Sequence, residues 1–310
     1  MSPISQRSTT AASIVPASAD LGTRNCVLGA RARRHSVREF PGPLSIKCVT
    51  SGRVAWRVGR RDVWVDPSCF LVLNASEPYS MDIDSAEPVT TCCAFFAPGF
   101  VEGIFRDGTR ADAHCLDDPG RTGSGALFLA RLRPINSGIA RVMTELESQA
   151  RSGGDGMRAE ELYNALAWQL LELCEETRRQ IGSIPAARAS TRAELLSRVS
   201  RGRELLHASS EAPPSLAEAA RAAAMSPFHF QRTFQRAFGI SPAGYQARLR
   251  FERATALLRR GVAVTEAALD AHYSGTAAFS TAFRKRFGVT PSHYAAQFSN
   301  KSKAAAGNSA

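Results

Sequence analysis

Residues 226–245 read SPFHFQRTFQRAFGISPAGY, and 49 positions later residues 275–294 read GTAAFSTAFRKRFGVTPSHY. Phe230, Phe234 and Phe238 recur as Phe279, Phe283 and Phe287. Each trio is followed by a glycine, a β-branched residue, a Ser/Thr-Pro pair and then Tyr245 or Tyr294. Aromatic residues at i, i+4 and i+8 share one helical face. Gly239 and Gly288 fit a left-handed helix stop, and Ser241-Pro242 and Thr290-Pro291 fit the start of the next helix. Upstream of each copy lies a further short helix, Leu216–Ala223 and Thr265–Ala271, joined by a tight turn. The sequence therefore predicts two helix-turn-helix units in tandem, at about 215–238 and 265–287.

A helix pair with a short turn is, taken plainly, only a helical hairpin. Duplication and charge move the reading to DNA. The chain has 310 residues and a net charge of +11. Residues 192–310 hold 17 Lys and Arg against 7 Asp and Glu, whereas residues 1–191 hold 22 against 21. A neutral module joined to a basic one is the electrostatic footprint of a regulated polyanion binder. An anionic membrane surface fits less well, because the basic third lacks a contiguous Lys-rich amphipathic face. Opposite the first Phe stripe lie His229, Gln231, Arg232, Gln235 and Arg236. Gln suits adenine edges, and Arg suits guanine edges or phosphates. Opposite the second lie Thr276, Ala277, Ser280, Thr281, Arg284 and Lys285, smaller groups that allow close approach but few bidentate contacts.

The first half follows a different period. Val54, Trp56 and Val58 alternate with polar neighbours, Gly59-Arg60-Arg61 turns the chain, and Val63 and Val65 follow. Phe70–Leu73, Tyr79 to Ile83 and Val89–Phe96 continue the series, which reads as a small antiparallel barrel or sandwich. After Pro134 the period becomes 3.6. Ile139, Val142, Met143 and Leu146 form one stripe, and Met157, Leu162, Leu166, Leu170 and Leu173 form another. These stripes either pack on the barrel or form a dimer interface. The fold class expected is α+β: an antiparallel β-barrel with flanking helices, then an all-α domain. The boundaries expected are a disordered tail over 1–34, a sensor and dimerisation domain over 35–182 and a linker over 183–197. A DNA-binding domain follows over 198–299, then a disordered tail over 300–310. The first 34 residues lack the apolar core of a secretory signal, and no apolar run approaches membrane-spanning length. The seven cysteines show no C-x-x-C, so reduced thiols in a cytoplasmic protein are expected. The neighbours Cys92 and Cys93 point to opposite strand faces and read as core rather than as a redox pair.

From Val199 to Phe298 these residues resemble the AraC/XylS family of bacterial transcriptional regulators. Ser226–Gly239 resembles the family's first recognition helix, and Phe279–Pro291 with Tyr294 resembles its C-terminal signature. Leu249-Arg250-Phe251-Glu252-Arg253-Ala254 through Leu258 resembles the helix joining the two units. The resemblance implies base reading by Phe228, Gln231 and Arg232 in the first unit. In the second it implies Thr276, Ala277, Ser280 and Thr281. The sequence departs from the family at His272-Tyr273, where Gly-Phe is usual, and at Ala219 and Ala267, where a larger aliphatic is common. The first unit is therefore expected to dominate specificity.

The first half is similar to the family's cupin-like sensor barrel through Gly52–Val65, Pro67–Leu73 and Glu77-Pro78-Tyr79. Trp56, Trp64 and Tyr79 read first as barrel core and second as candidate ligand-lining residues. A metal-binding cupin needs clustered His and carboxylates; only His35 and His114 fall near the barrel, so no metal or other cofactor is expected. No catalytic constellation stands out. The expected protein is a non-enzymatic, sequence-specific regulator, read as an activator although no residue separates activation from repression. Its partners are double-stranded DNA, a small-molecule effector, a second copy of itself and RNA polymerase, with no membrane partner. Its rivals are a cupin-type enzyme with a DNA-targeting domain and a ligand-independent DNA-binding protein.

Overall fold

A computed structural model of the chain describes residues 21–109, 132–153, 155–208 and 213–306. Seven strands form one antiparallel sheet: β1 (Cys26–Pro41), β2 (Ser45–Ser51), β3 (Val54–Val58), β4 (Arg61–Val65), β5 (Cys69–Leu73), β6 (Pro78–Phe95) and β7 (Leu132–Pro134). The order β4-β3-β6-β2-β5-β7, with β1 also on β6, curls into a nearly closed barrel. The two apolar runs around Met81 and Val89 are a single 18-residue strand, β6. It pairs with β1 from Cys26↔Phe95 to Pro41↔Pro78. Residues 26–34, expected in the tail, therefore belong to the barrel, because their pairing with β6 satisfies a long run of backbone groups. Residues 1–20 lie outside the described part, as do His114 and Cys115.

Alternation along the strands divides two cores. Trp56, Val63, Val65, Leu71, Tyr79, Met81 and Cys93 fill the barrel interior. Ile46, Cys48, Phe70, Cys92 and Phe96 face outward, under the helices. Cys92 and Cys93 thus sit in separate cores, and burial pushes both thiols up. Trp64 does not line the interior as expected. Val63 and Val65 take the inward positions of β4, leaving Trp64 on the outer face, 37% exposed beneath the Arg53 guanidinium.

Helix α1 (Phe100–Thr109) precedes the pair α2 (Ser137–Ser152) and α3 (Gly156–Ser183). Asn136 and Asp155 cap α2 and α3 through their side chains, and Gly153, at φ 65°, ends α2. Ile139, Val142, Met143 and Leu146 bury against the barrel together with Leu162, Leu166 and Leu170. The stripes are therefore barrel packing. Met157 is the exception, at 72% exposure, and it shares the outer face of α3 with the half-exposed Trp168.

The all-α part comprises α4 (Ala189–Ala208), α5 (Leu216–Ala222), α6 (Pro227–Phe238), α7 (Pro242–Arg259), α8 (Val264–Asp270), α9 (Thr276–Phe287) and α10 (Pro291–Ala306). Two expected boundaries move. The linker over 183–197 shrinks to a short connection, since α4 begins at Ala189 and Ile184 is buried in the core of the first unit. Its Ala, Arg and Leu content favours helix over coil. Helix α10 runs through Ala306, so the final tail does not begin at residue 300.

Candidate nucleic-acid interface

Each unit is built the same way. In the first, the Ser215 hydroxyl and Glu218 carboxylate form a capping box that starts α5. The chain then turns at Ala224, φ 51°, where the Ala224 N–H bonds Arg221 O and the Met225 N–H bonds Ala220 O. The second turn repeats this with His272, φ 55°, bonded to Leu269 O, and Tyr273 bonded to Ala268 O. Both turns are Schellman stops whose left-handed position favours glycine. Where the family usually has glycine, His272 adopts that conformation nonetheless. Ala224 and His272 are 48 residues apart, whereas the helices that follow are offset by 49, so the second turn carries one extra residue.

Ser226 caps α6 by accepting from the His229 N–H, and Pro227 occupies the first turn. Phe230, Thr233, Phe234 and Ala237 face inward. Phe230 and Phe234 meet edge-on at 5.5 Å. Helix α4 closes over them at Gly202, where an added Cβ would stand 2.3 Å from the Phe230 ring and 2.8 Å from Ala219 O. With these positions fixed, Phe228, His229, Gln231, Arg232, Gln235 and Arg236 are all exposed. All six candidates of the first unit thus share one open face, on which the Arg232 guanidinium lies over the Phe228 ring.

The second unit is less open. Phe279 and Phe283 are fully buried and Gly275 starts α9 without a side-chain cap. Ala277, Thr281, Arg284 and Lys285 are exposed, while Thr276 and Ser280 are half-buried. The Thr281 hydroxyl donates to Ala277 O at 3.0 Å, which leaves its methyl and its lone pairs for a partner. Arg284, Lys285 and Arg286 crowd the last turn, where cations also complement the helix dipole. The units are joined by α7, whose 18 residues span about 27 Å at 1.5 Å per residue.

The chain matches, in order, the family profile described as an AraC-like ligand binding domain over residues 26–166 and a helix-turn-helix domain over residues 219–297. It belongs to the AraC/XylS family of DNA-binding transcriptional regulators. Among relatives, it is 32% identical over 84 residues to the regulatory protein Ada of Salmonella typhimurium, a match covering 27% of this chain and 24% of Ada. It spans about a quarter of that relative's length. A solved transcriptional regulator with an AraC-type DNA-binding domain from Chromobacterium violaceum is 27% identical, covering 36% of this chain and 96% of that one, with a TM-score of 0.31. ToxT from Vibrio cholerae O395, solved bound to (E)-4-(8-methylnaphthalen-1-yl)but-3-enoic acid, is 10% identical. That alignment covers 89% of this chain and 100% of ToxT, with a TM-score of 0.36.

Within this AraC/XylS regulator, the sensor and DNA-binding parts are in direct contact. The Arg203 guanidinium of α4 donates to Leu132 O of β7 at 2.8 Å and lies 4.4 Å from the Phe238 ring centroid. Arg61 of β4 pairs with Glu204 at 3.1 Å, and Arg53 donates to Ala208 O at the end of α4. The Ser183 hydroxyl, at the end of α3, donates to Arg236 O at the end of α6, 2.7 Å away. Inside the barrel, Trp56 and Tyr79 are buried. Sequence reasoning missed Lys47, which is 1% exposed. Its Nζ donates to the Tyr79 hydroxyl at 3.0 Å and lies 3.7 Å from the Phe95 ring centroid. The only signal was a lysine within the apolar run Leu44–Val49. Among the described residues no helix is long and apolar enough to cross a membrane.

Proposed function

We propose that this chain is a cytoplasmic, non-enzymatic transcriptional activator that works as a homodimer and reads its operator chiefly through α6. The observation that carries the reading is the open face of that helix, where Phe228, His229, Gln231, Arg232, Gln235 and Arg236 are exposed around a fixed aromatic core. Arg232 and Gln231 contact base edges, and Arg236 and Gln235 contact phosphate or flanking bases. Helix α9 enters the next major groove with Thr276, Ala277, Ser280 and Thr281 as close-approach contacts. Arg284 and Lys285 neutralise phosphate there. The length of α7 supports this, being comparable to the ~34 Å between successive grooves on one DNA face. The barrel, with Trp56 and Tyr79 inside, takes a small molecule and acts through the α4 contacts on how the reading helices are presented. The outer face of α3, with Met157 and Trp168, supplies the dimer contact, and RNA polymerase is the partner in activation.

Selection from a randomised DNA pool with the full chain, followed by titration of the selected site at several salt concentrations, tests this. A recurring motif, with affinity falling steeply as salt rises, is expected. Affinity indifferent to both sequence and salt overturns it.

A further inference from the structure

The turn between β4 and β5 and the end of α4 bring together three metal-ligating side chains from the two domains. Asp66 and Cys69 belong to the barrel, and His207 lies in the last turn of α4. His207 Nε2 is 3.7 Å from Asp66 Oδ1, and Cys69 Sγ is 3.8 Å from the same oxygen. All three ligand atoms lie within 4.8 Å of one another. Ligands held at ~2.0–2.3 Å around a tetrahedral zinc-class ion stand roughly 3.3–3.8 Å apart, so closing this set takes shifts of about an ångström or less.

A second observation concerns how His207 is held. It is 3% exposed, and its Nδ1 lies 3.4 Å from the Tyr245 hydroxyl at the start of α7. That contact leaves Nε2 turned toward Asp66 and the Ser68 hydroxyl, 3.3 Å away. A ligating histidine is commonly oriented by a hydrogen bond to its other ring nitrogen. The Ser68 hydroxyl also donates to Asp66 Oδ1 at 2.5 Å, which places a further oxygen beside the three ligands. Asp66 is only partly buried, which leaves a route from solvent.

We propose that Asp66, Cys69 and His207 form a binding site for a borderline divalent transition ion of the zinc class, bridging the sensor barrel and the DNA-binding domain. Thiolate and imidazole select such an ion over magnesium or calcium. On binding, the Cys69 S–H bond breaks, its proton passes to solvent and a sulfur–metal bond forms. Without an ion, burial and the neighbouring Asp66 carboxylate hold that thiol protonated. Fixing His207 to the barrel would immobilise α4 and, through Tyr245, the start of α7. That regulatory consequence rests on the function proposed above; ion binding itself does not.

The test uses the full chain, reduced, freed of metal by a chelator and titrated with cobalt(II), then with zinc. One equivalent of cobalt is expected to give the visible bands of a tetrahedral site and a thiolate-to-cobalt charge-transfer band, both lost on adding zinc. Cys69→Ser should abolish the charge-transfer band, and Asp66→Asn should weaken binding at least tenfold. Tyr245→Phe, which only frees the His207 ring, should weaken it by about 10–100-fold. Cys92→Ala, in the other core, should change nothing. Circular dichroism of each variant checks that it is folded. A wild-type chain with no thiolate–cobalt band, or a band that survives Cys69→Ser in folded protein, overturns the site. Unchanged DNA affinity on adding zinc to a chain that binds it overturns the regulatory consequence alone.

Discussion

The Arg232 guanidinium lies 5.5 Å from the centroid of the Phe228 ring, one turn away on the open face of α6. No carboxylate among the described residues pairs with it, so a structural ion pair does not account for its position. A guanidinium resting on a ring keeps its planar fork of donors free for a partner while losing less side-chain entropy on binding. Arg232→Ala should therefore cost ~1–3 kcal/mol at the preferred site, about 5–150-fold in affinity, and relax preference at one half of it. Phe228→Ala, which frees the guanidinium and removes the ring from the same face, should also weaken binding. Selection from a random DNA pool with each variant reads this. If Thr281→Ala shifts the selected motif while Arg232→Ala leaves it unchanged, the roles of the two units are reversed.

Arg284 and Lys285 occupy the last turn of α9, away from its N-terminal end. Replacing either with alanine should lower affinity about equally for all sequences. Each change should also flatten the log–log salt dependence by about 0.9, the contribution of one neutralised phosphate. Titration of preferred and scrambled sites over a salt series measures both effects. A loss confined to the preferred site would assign these side chains to base reading instead.

Ala224 holds a left-handed conformation at φ 51° on an exposed turn. That conformation costs an L-residue with a Cβ about 1–2 kcal/mol, while glycine's added freedom in the unfolded chain returns roughly 0.5–1. Ala224→Gly should thus stabilise the protein by up to ~1.5 kcal/mol, and Ala224→Val should destabilise it. Urea midpoints at unchanged slope report the difference. A destabilised Gly variant would mean that the turn is less strained than its dihedral angle implies.

What could be read from sequence alone follows how local each signal is. The Phe230/Phe234 stripe, the glycine stop and the Ser226-Pro227 start fall within one 14-residue window, and the stripe and the stop repeat, so α6 and α9 are legible. So is the alternation of Val54, Trp56 and Val58. The size of Trp64 points to the core, but register overrides size, since Val63 and Val65 on either side take the interior. Ser and Pro suggest a linker over 183–197, whereas burial of Ile184 and Leu196 makes it part of the fold. Residues 26–34 looked like tail because pairing with β6 is a long-range property that their own polar composition conceals. Contact between His207 and Asp66 joins residues 141 positions apart, on different domains, and no local pattern marks it.

The outer face of α3 separates two kinds of mutation. Leu166 and Leu170 are fully buried under the helix pair, so glutamate there should unfold the sensor domain by placing a charge in its core. Trp168 is 49% exposed, and Trp168→Glu should leave the fold intact while dissociating a dimer held through this face. Sedimentation and circular dichroism together distinguish the cases. A folded Trp168→Glu protein that is still dimeric moves the interface elsewhere.

Lys47 and Tyr79 make a sharper test of whether the barrel interior is kept for stability or for binding. The ammonium is buried, with the Tyr79 hydroxyl and the Tyr79 and Phe95 rings as its partners and no carboxylate among the described residues in ion-pair contact. Removing one member of such a pair strands the other. Tyr79→Phe should therefore destabilise by roughly 1.5–3 kcal/mol, the range for a hydrogen bond to a charged group. Lys47→Met keeps the aliphatic stem and removes the charge, and the double variant leaves neither polar group unsatisfied. The double variant should be at least as stable as wild type, because apolar replacements of similar volume often outperform a buried charge. Denaturant unfolding of the four proteins gives the coupling between the two positions. A double variant that gains stability would mark Lys47 as a residue retained for what the barrel binds. One that falls by the sum of the single losses would make it part of the core.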